Sequence, residues 1–267
     1  MRKENETWNN KTSVSIICML VFIVMIMTCV NACGFFGIGS TSWKEEVLLH
    51  DGTKIVVERY YHLGGKRTLD STEKRNLDET VTFTLPGSNK KVTWKMDFRD
   101  SVPEPNSLDL LVLDIVNGTP YIATNPRGCI AYNKWERPNP PYIFFKYDGN
   151  YWKRISLNEF PAEISKVNVI IERPPAKLLK SFYTVEQVNE QNHNLREEIF
   201  KTIVRSPLKG KELCPVWFFD GRYWRGAGGL EKLPSYEACV TVCNQKRISM
   251  EYCPCKRVFD VDAKGEK

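Results

Sequence analysis

The chain has 267 residues, of which 42% are hydrophobic and 26% charged. This composition excludes both a disordered chain and a membrane protein with many spans. The net charge is +6 and is spread along the chain. The basic clusters are no larger than pairs, such as Lys90–Lys91 and Lys256–Arg257. A nucleic-acid surface would show a denser basic stripe, so the sequence predicts a mildly basic surface with some attraction for anionic lipids or cell-surface polymers, and no nucleic-acid partner.

Residues 14–30 form an uncharged run, VSIICMLVFIVMIMTCV, which follows Arg2, Lys3 and Lys11. As a helix this run would span roughly 25 Å, just short of the hydrocarbon core of a bilayer or matching it. The basic flank favours a cytoplasmic N-terminus, so the chain that follows is expected outside the membrane. We therefore interpret residues 1–32 as a signal peptide or an uncleaved signal anchor.

The residues after this run, Val30-Asn31-Ala32-Cys33-Gly34, resemble the signal of bacterial lipoproteins. The resemblance implies cleavage before Cys33, a diacylglyceryl group on its thiol and, in a Gram-negative cell, attachment to the outer membrane. An uncleaved single-pass transmembrane helix and a secreted soluble form are the alternatives. Residues 33–42, rich in Gly, Ser and Thr, are expected to be a flexible tether.

Antiparallel hairpins are the main structural signal of the remaining chain, because apolar runs flank short turn sequences. The turns are Asp51-Gly52, Pro86 to Asn89, Asn117-Gly118, Asp148-Gly149 and Asp220-Gly221. In the Asp-Gly turns we expect positive φ at both turn positions. The run Leu108 to Val116 is apolar enough to predict a central strand.

One convincing helix is predicted from Thr184 to the residues before Pro207. Thr184 and Gln187 have the spacing of a capping box, and apolar residues follow at helical spacing. These apolar residues are Val188, Leu195, Ile199 and Ile203. A shorter helix is predicted from Ser235 to Val242.

Two hairpins share a sequence pattern, FKYDGNYWKR at 145–154 and WFFDGRYWRG at 217–226. The copies indicate either duplicated modules or convergent hairpins with aromatic cross-strand pairs. Their aromatic residues predict either core packing or an exposed binding surface for a sugar, peptide or lipid, with Tyr151, Trp152, Tyr223 and Trp224 as candidates.

Six cysteines lie beyond the targeting segment, and an even number in an exported chain predicts three disulfides. They are Cys129, Cys214, Cys239, Cys243, Cys253 and Cys255. Cys253 and Cys255 are expected to bond to different partners, and Cys129 to tie the middle of the chain to its C-terminal end. A zinc site at the last four cysteines is the rival interpretation, although their C-x-C spacing is unusual for zinc.

No catalytic motif is recognisable, and the three histidines (His50, His62 and His193) lack metal-ligand spacing. Four carboxylates lie in or near predicted strands: Asp97, Asp100, Asp109 and Asp114. Paired carboxylates can hydrolyse glycosides, but nothing in the sequence selects a pair. No cofactor, catalytic residue or metal site is predicted.

The stretches WKEEVLLHDGTKIVVER (Trp43 to Arg59) and CIAYNKWERPNPPYIFFKYDG (Cys129 to Gly149) resemble a group of uncharacterised proteobacterial envelope proteins. The similarity extends from about Trp43 to about Glu172 and implies a bacterial envelope setting without an activity or a binding residue.

The predicted fold is α+β, dominated by antiparallel hairpins with one amphipathic helix. We expect a β-rich domain at 43–208 and a cysteine-rich, disulfide-stapled subdomain at 209–267. The predicted function is a membrane-tethered exported protein with a structural or binding role, on the periplasmic or extracellular side. Its expected partners are the membrane, through the N-terminus, and an envelope protein or polysaccharide. The alternative is an exported hydrolase with an unrecognised carboxylate site.

Overall fold

The computed structural model describes residues 39–64, 75–97, 107–209 and 214–259. The hydrophobic run at 14–30 and the lipidation candidate Cys33 lie outside these residues. Within the described ranges, no helix is both long and apolar enough to cross a bilayer.

The first sheet is an antiparallel meander with one short parallel strand added at its edge. It contains β1 (Gly39–Leu48), β2 (Lys54–Gly64), β3 (Arg75–Thr84), β4 (Lys91–Asp97) and β9 (Phe182–Tyr183), in the order β4-β3-β2-β1-β9. β1 begins four residues before the predicted domain start at Trp43, since Gly39 already pairs with Leu63. Apolar and polar residues alternate along these strands, so one face of the sheet is buried.

The second sheet is also antiparallel. It contains β5 (Leu108–Val116), β6 (Thr119–Pro126), β7 (Ile143–Tyr147) and β8 (Trp152–Ile155), in that order. One face packs on the buried face of the first sheet, where Val57, Val81 and Trp94 meet Leu113 and Ile122. The other face is covered by two mostly irregular segments, residues 157–171 and 195–208, through residues such as Phe160, Ile164 and Ile203. The second sheet is therefore the middle layer of the domain.

The prediction that Leu108 to Val116 forms a central strand is wrong, because β5 is an edge strand. Its residues are nonetheless almost all buried, since the middle layer is covered on both faces. Asn168 covers part of the edge itself. Its side chain accepts from Leu113 N and donates to Leu113 O and Leu48 O, and its backbone N–H donates to Leu111 O.

The predicted long helix is shorter than expected. The capping box of Thr184 and Gln187 is present, but α2 (Val185–Asn192) ends after eight residues. The Asn192 side chain turns away to bond Val169 O and Ile171 N, and only a short 3-10 turn, Glu198–Phe200, follows. The predicted apolar face is accordingly divided, with Val188 in one cluster and Ile199 and Ile203 in another.

A small C-terminal unit, residues 214–259, has its own core. It contains the hairpin of β10 (Trp217–Phe219) and β11 (Trp224–Gly226), followed by α3 (Tyr236–Gln245) and α4 (Cys255–Val258). The predicted cap Ser235 is present, and the helix continues three residues beyond Val242. Its core includes Val216, Phe218 and Leu230 together with three cysteines. The fold is α+β and mostly antiparallel, as predicted.

Three disulfides stabilise the C-terminal part, as expected. Cys239–Cys255 and Cys243–Cys253 lie within the C-terminal unit, and Cys129–Cys214 joins it to the β-rich domain. Cys253 and Cys255 thus have different partners, and Cys129, at the start of α1 (Gly128–Lys134), ties the middle of the chain to its end. The sulfurs proposed as the rival zinc ligands are bonded in pairs in this structure.

The junction between the two parts is also hydrogen-bonded. Asn133 of α1 is 1% exposed, and its side chain donates to Pro215 O and accepts from Trp217 N. The Arg137 guanidinium donates to Cys214 O and Pro215 O. The C-terminal unit is therefore held against α1 by directed polar contacts as well as by a covalent bond.

Candidate functional site

The two Asp-Gly hairpins that echo each other in sequence also have the same turn geometry. In each, the aspartate side chain accepts hydrogen bonds from the backbone N–H groups two and three residues further on. Asp148 and Asp220 both also donate their own N–H to the carbonyl of the following tyrosine, Tyr151 or Tyr223. These bonds hold the pKa of Asp148 well below its usual range and lower that of Asp220 to about 2.

The expected positive φ at both positions of these turns is found only at the glycines, Gly149 and Gly221. The aspartates stabilise the turns as hydrogen-bond acceptors instead. By contrast, Asn117 and Gly118 both have positive φ, as a two-residue turn of the primed type requires.

The first of the two hairpins is docked on the β-rich domain. The Trp152 indole N–H donates to Thr93 O of β4 at 2.8 Å, and Lys90 Nζ donates to Gly149 O at 2.6 Å. Lys90 also lies over the Tyr147 ring. Tyr151 is 56% exposed at the tip. The candidate binding residue Trp152 therefore has a structural contact, and Tyr151 is exposed beside it.

Among the residues that the structure describes, no strand packs against the second hairpin in this way. Its rings, Phe219 and Trp224, face Tyr252, which lies edge-on to Phe219 and close to Gly221. The buried indole N–H of Trp224 has no acceptor among the described residues, although its counterpart in Trp152 has one. An unsatisfied buried donor of this kind costs about 1–3 kcal/mol.

A groove of about 670 Å³ opens beside this second hairpin. Its volume lies within the range of ligand sites in proteins, about 300–1,000 Å³. One wall is the hairpin and the other is the disulfide-bonded segment around Tyr252 and Pro254. The lining residues are Phe218, Phe219, Trp224, Met250, Glu251, Tyr252, Cys253, Pro254, Lys256 and Arg257.

The groove combines exposed apolar surface with positive charge. Met250 is 53% exposed, and the neighbouring tip residue Tyr223 is 47% exposed. Lys256 and Arg257 contribute two cations, against the single carboxylate of Glu251. Burial lowers the pKa of Arg257, and the Arg137 guanidinium nearby adds to the effect. The groove therefore suits a ligand with both an apolar face and negative charge.

Disulfides fix the shape of the groove. Cys243–Cys253 and Cys239–Cys255 attach the segment from Cys253 to Cys255 to the buried face of α3, where Cys239 and Cys243 are fully covered. Since the two helical cysteines are four residues apart, they lie on the same helix face. This pairing keeps Tyr252 and Pro254 opposite the hairpin.

A second polar cluster lies inside the first sheet. Arg59 on β2 is buried between Glu45 on β1 and Glu79 on β3, and also donates to Tyr61 Oη and Ile170 O. The Trp43 indole N–H donates to Glu45 at 2.8 Å. Burial raises the pKa of Glu45, and Arg59 partly opposes that rise. Arg59, Glu45 and Glu79 are at most 1% exposed, so no substrate reaches them.

Of the four carboxylates singled out in the sequence, the two whose side chains the structure describes, Asp109 and Asp114, do not pair with each other. Asp109 is paired with Arg127, and Asp114 accepts from the backbone N–H of His50 and bonds its Nδ1. The side chain of Asp97 and all of Asp100 lie outside the described residues. The hydrolase alternative therefore gains no support from Asp109 and Asp114.

Asp109 is expected to make stability depend on pH. Burial raises its pKa from 3.8 to about 6, with Glu79 and Glu172 adding repulsion. Between these values the folded state binds more protons than the unfolded state, so the free energy of unfolding falls as pH rises from about 4 to about 6. Because a fifth of the side chain stays exposed, we expect Asp109→Asn to add about 1–2 kcal/mol at pH 7, and nothing at pH 4.

Urea unfolding of both proteins across this pH range measures the difference. Equal curves at all pH values, or a variant that is less stable at pH 7, would contradict the raised pKa.

Several residues of these sites were missed from the sequence. Each charged residue of the buried cluster lies two positions from a buried valine of the same strand, and therefore on the same face of the sheet. The alternation of the strands could thus have identified these charged residues as buried. The pairs are Glu45 with Val47, Arg59 with Val57, and Glu79 with Val81. Met250, Tyr252 and Arg257 carry no such signal, because only the disulfide pairing brings them to the hairpin.

No protein-family model matches this chain, and no match is found among curated proteins or solved structures.

Proposed function

We propose that this chain is a membrane-tethered exported protein of the bacterial envelope with a non-catalytic binding role, and that the groove of the C-terminal unit is its binding site. The observation that carries the proposal is this groove, in which exposed apolar side chains and two cations lie between walls fixed by disulfides.

Export is supported by the disulfides themselves. Three bonds in one chain form and persist in oxidising compartments, and are rare in the cytosol. The run at 14–30 supplies the route to such a compartment, either as a lipoprotein signal that ends before Cys33 or as a helix that stays in the membrane.

The tether is tested by metabolic labelling with palmitate, in the wild type and in Cys33→Ala. Label that is lost in the variant supports the lipoprotein form. Membrane retention without label supports an uncleaved anchor. A chain that is soluble in both proteins would contradict the tether.

Binding is tested by sedimentation of the full chain, in detergent, with washed envelope fragments. We expect Trp224→Ala and Met250→Ser to weaken binding about tenfold, because each removes apolar surface from the groove. Tyr151→Ser is the matched control, since Tyr151 is as exposed as Met250 but belongs to the other hairpin. Met250→Ser removes only a half-exposed side chain, so it should fold normally.

Equal sedimentation of all four proteins, or a loss in Tyr151→Ser alone, would contradict a site in the groove. Melting curves and the mass of the intact disulfide-bonded chain show whether each variant is folded.

A further inference from the structure

The ligand chemistry of the groove follows first from its charge. Residues 214–259 carry seven Lys and Arg against four Asp and Glu, a net charge of +3. Two of the four acids are engaged elsewhere, because Asp220 bonds its own turn and Arg225, and Glu231 accepts from Val216 N. In the ranges that the structure describes, no carboxylate comes within ion-pair distance of Lys256 or Arg257. The groove is therefore electrostatically complementary to an anion.

The walls indicate what kind of anion fits. Phe219, Trp224 and Tyr252 present aromatic surface next to these cations, and Met250 adds an exposed thioether. A small inorganic anion would leave this surface uncovered. A ligand with flat apolar faces and attached acid groups would cover the rings and meet the cations at the same time.

The backbone around the groove argues against an added peptide strand. A bound peptide strand would need the free N–H and C=O groups of a strand edge. At Trp217 of β10 these groups are already used, because Trp217 N donates to Asn133 Oδ1 and Trp217 O accepts from Arg257 Nη1. A peptide strand could therefore not pair with Trp217, and recognition beside this residue depends on side chains.

We infer that the groove binds an acidic polysaccharide of the cell envelope, with sugar rings against the aromatic wall and carboxylates on Lys256 and Arg257. The inference rests on the proposed binding role and names its ligand class.

The test uses the full chain in detergent and three probes of matched size. They are a hexamer of galacturonic acid, its methyl ester, which has the same rings without charge, and a hexaglutamate peptide, which has the charge without rings. Titration calorimetry at low and at physiological salt measures each affinity. We expect the acidic hexamer to bind at least about tenfold more tightly than either other probe, and to weaken with salt.

Variants locate the binding. Arg257→Gln and the exposed Lys256→Gln are each expected to weaken hexamer binding about tenfold, because a charge-assisted hydrogen bond is lost. Lys246→Gln removes the same charge from the end of α3, outside the groove, and should bind as the wild type does. Since Lys256 has no ion-pair partner among the described residues, its variant should fold even if Arg257→Gln does not.

The outcomes separate this inference from the proposed function. Equal binding of the methyl ester would overturn recognition of the acid, and equal binding of hexaglutamate would replace the sugar by an acidic peptide. If envelope fragments bind in the groove while none of the three probes does, the ligand class is wrong and the binding role stands. If the fragments do not bind either, both fail.

Discussion

Replacement of Arg59 by methionine is expected to lower the free energy of unfolding by about 3–5 kcal/mol at pH 7, because the substitution leaves Glu45 and Glu79 buried without their cation. Because methionine keeps much of the side-chain volume of arginine, the loss of stability is due mainly to the unpaired charges and not to a cavity. Urea unfolding followed by tryptophan fluorescence measures the change.

The same variant should recover stability in acid. Without Arg59, burial keeps the pKa of the Glu45 carboxyl above that in the unfolded chain, so the folded state binds the extra proton. Its deficit relative to the wild type should therefore shrink as pH falls from 7 to 5. A deficit that grows in this range would contradict an electrostatic origin.

The neutral triple variant Glu45→Gln, Arg59→Met, Glu79→Gln is the control. It removes all three charges at once, and we expect it to regain most of the lost stability, since neutral groups cost less to bury than unpaired charges. If the triple variant is no more stable than Arg59→Met, the cluster contributes through packing and not through charge balance.

The second large effect is expected from loss of the Cys129–Cys214 disulfide. Its cysteines are 85 residues apart, and a cross-link that closes so long a loop contributes about 4–5 kcal/mol in the chain-entropy model. We expect the double variant Cys129→Ser, Cys214→Ser to lose this amount of unfolding free energy, and therefore to unfold at a lower urea concentration. The Asn133 and Arg137 contacts should still hold the C-terminal unit in place under native conditions.

A specific protease site inserted after Lys209 distinguishes covalent from non-covalent attachment. On a non-reducing denaturing gel, the cleaved wild type should run as one species and the cleaved double variant as two. Two species from the wild type would contradict the pairing. The matched variant Cys243→Ser, Cys253→Ser removes a bond within the C-terminal unit and keeps Cys129–Cys214, so the wild-type gel pattern should persist.

The hairpins could be predicted from the sequence because their information is local. A turn sequence such as Asn117-Gly118 between apolar runs determines both the pairing and the register of β5 and β6. The same signals identified the hairpin that contributes Phe219 and Trp224 to the groove. The second wall could not be predicted, because it depends on which of fifteen possible sets of disulfides forms.

The length of α2 depended on a distant contact. Capping and apolar spacing were consistent with a long helix, but the helix ends at Asn192, whose side chain bonds the backbone at Val169 and Ile171. The edge position of β5 could not be predicted from the sequence either. A strand in a middle layer is apolar on both faces, whether it pairs with one neighbouring strand or with two.

The contacts of Asn168 on β5 bear on how this protein avoids aggregation. LDLLVLDIV is a long, mostly apolar strand of the sort that pairs readily with a copy of itself when its edge is free. A single asparagine takes up the N–H and the C=O of Leu113, and its own backbone takes up the C=O of Leu111. Growth of the sheet into a second molecule is thus blocked at this point by an amide side chain that mimics a peptide bond.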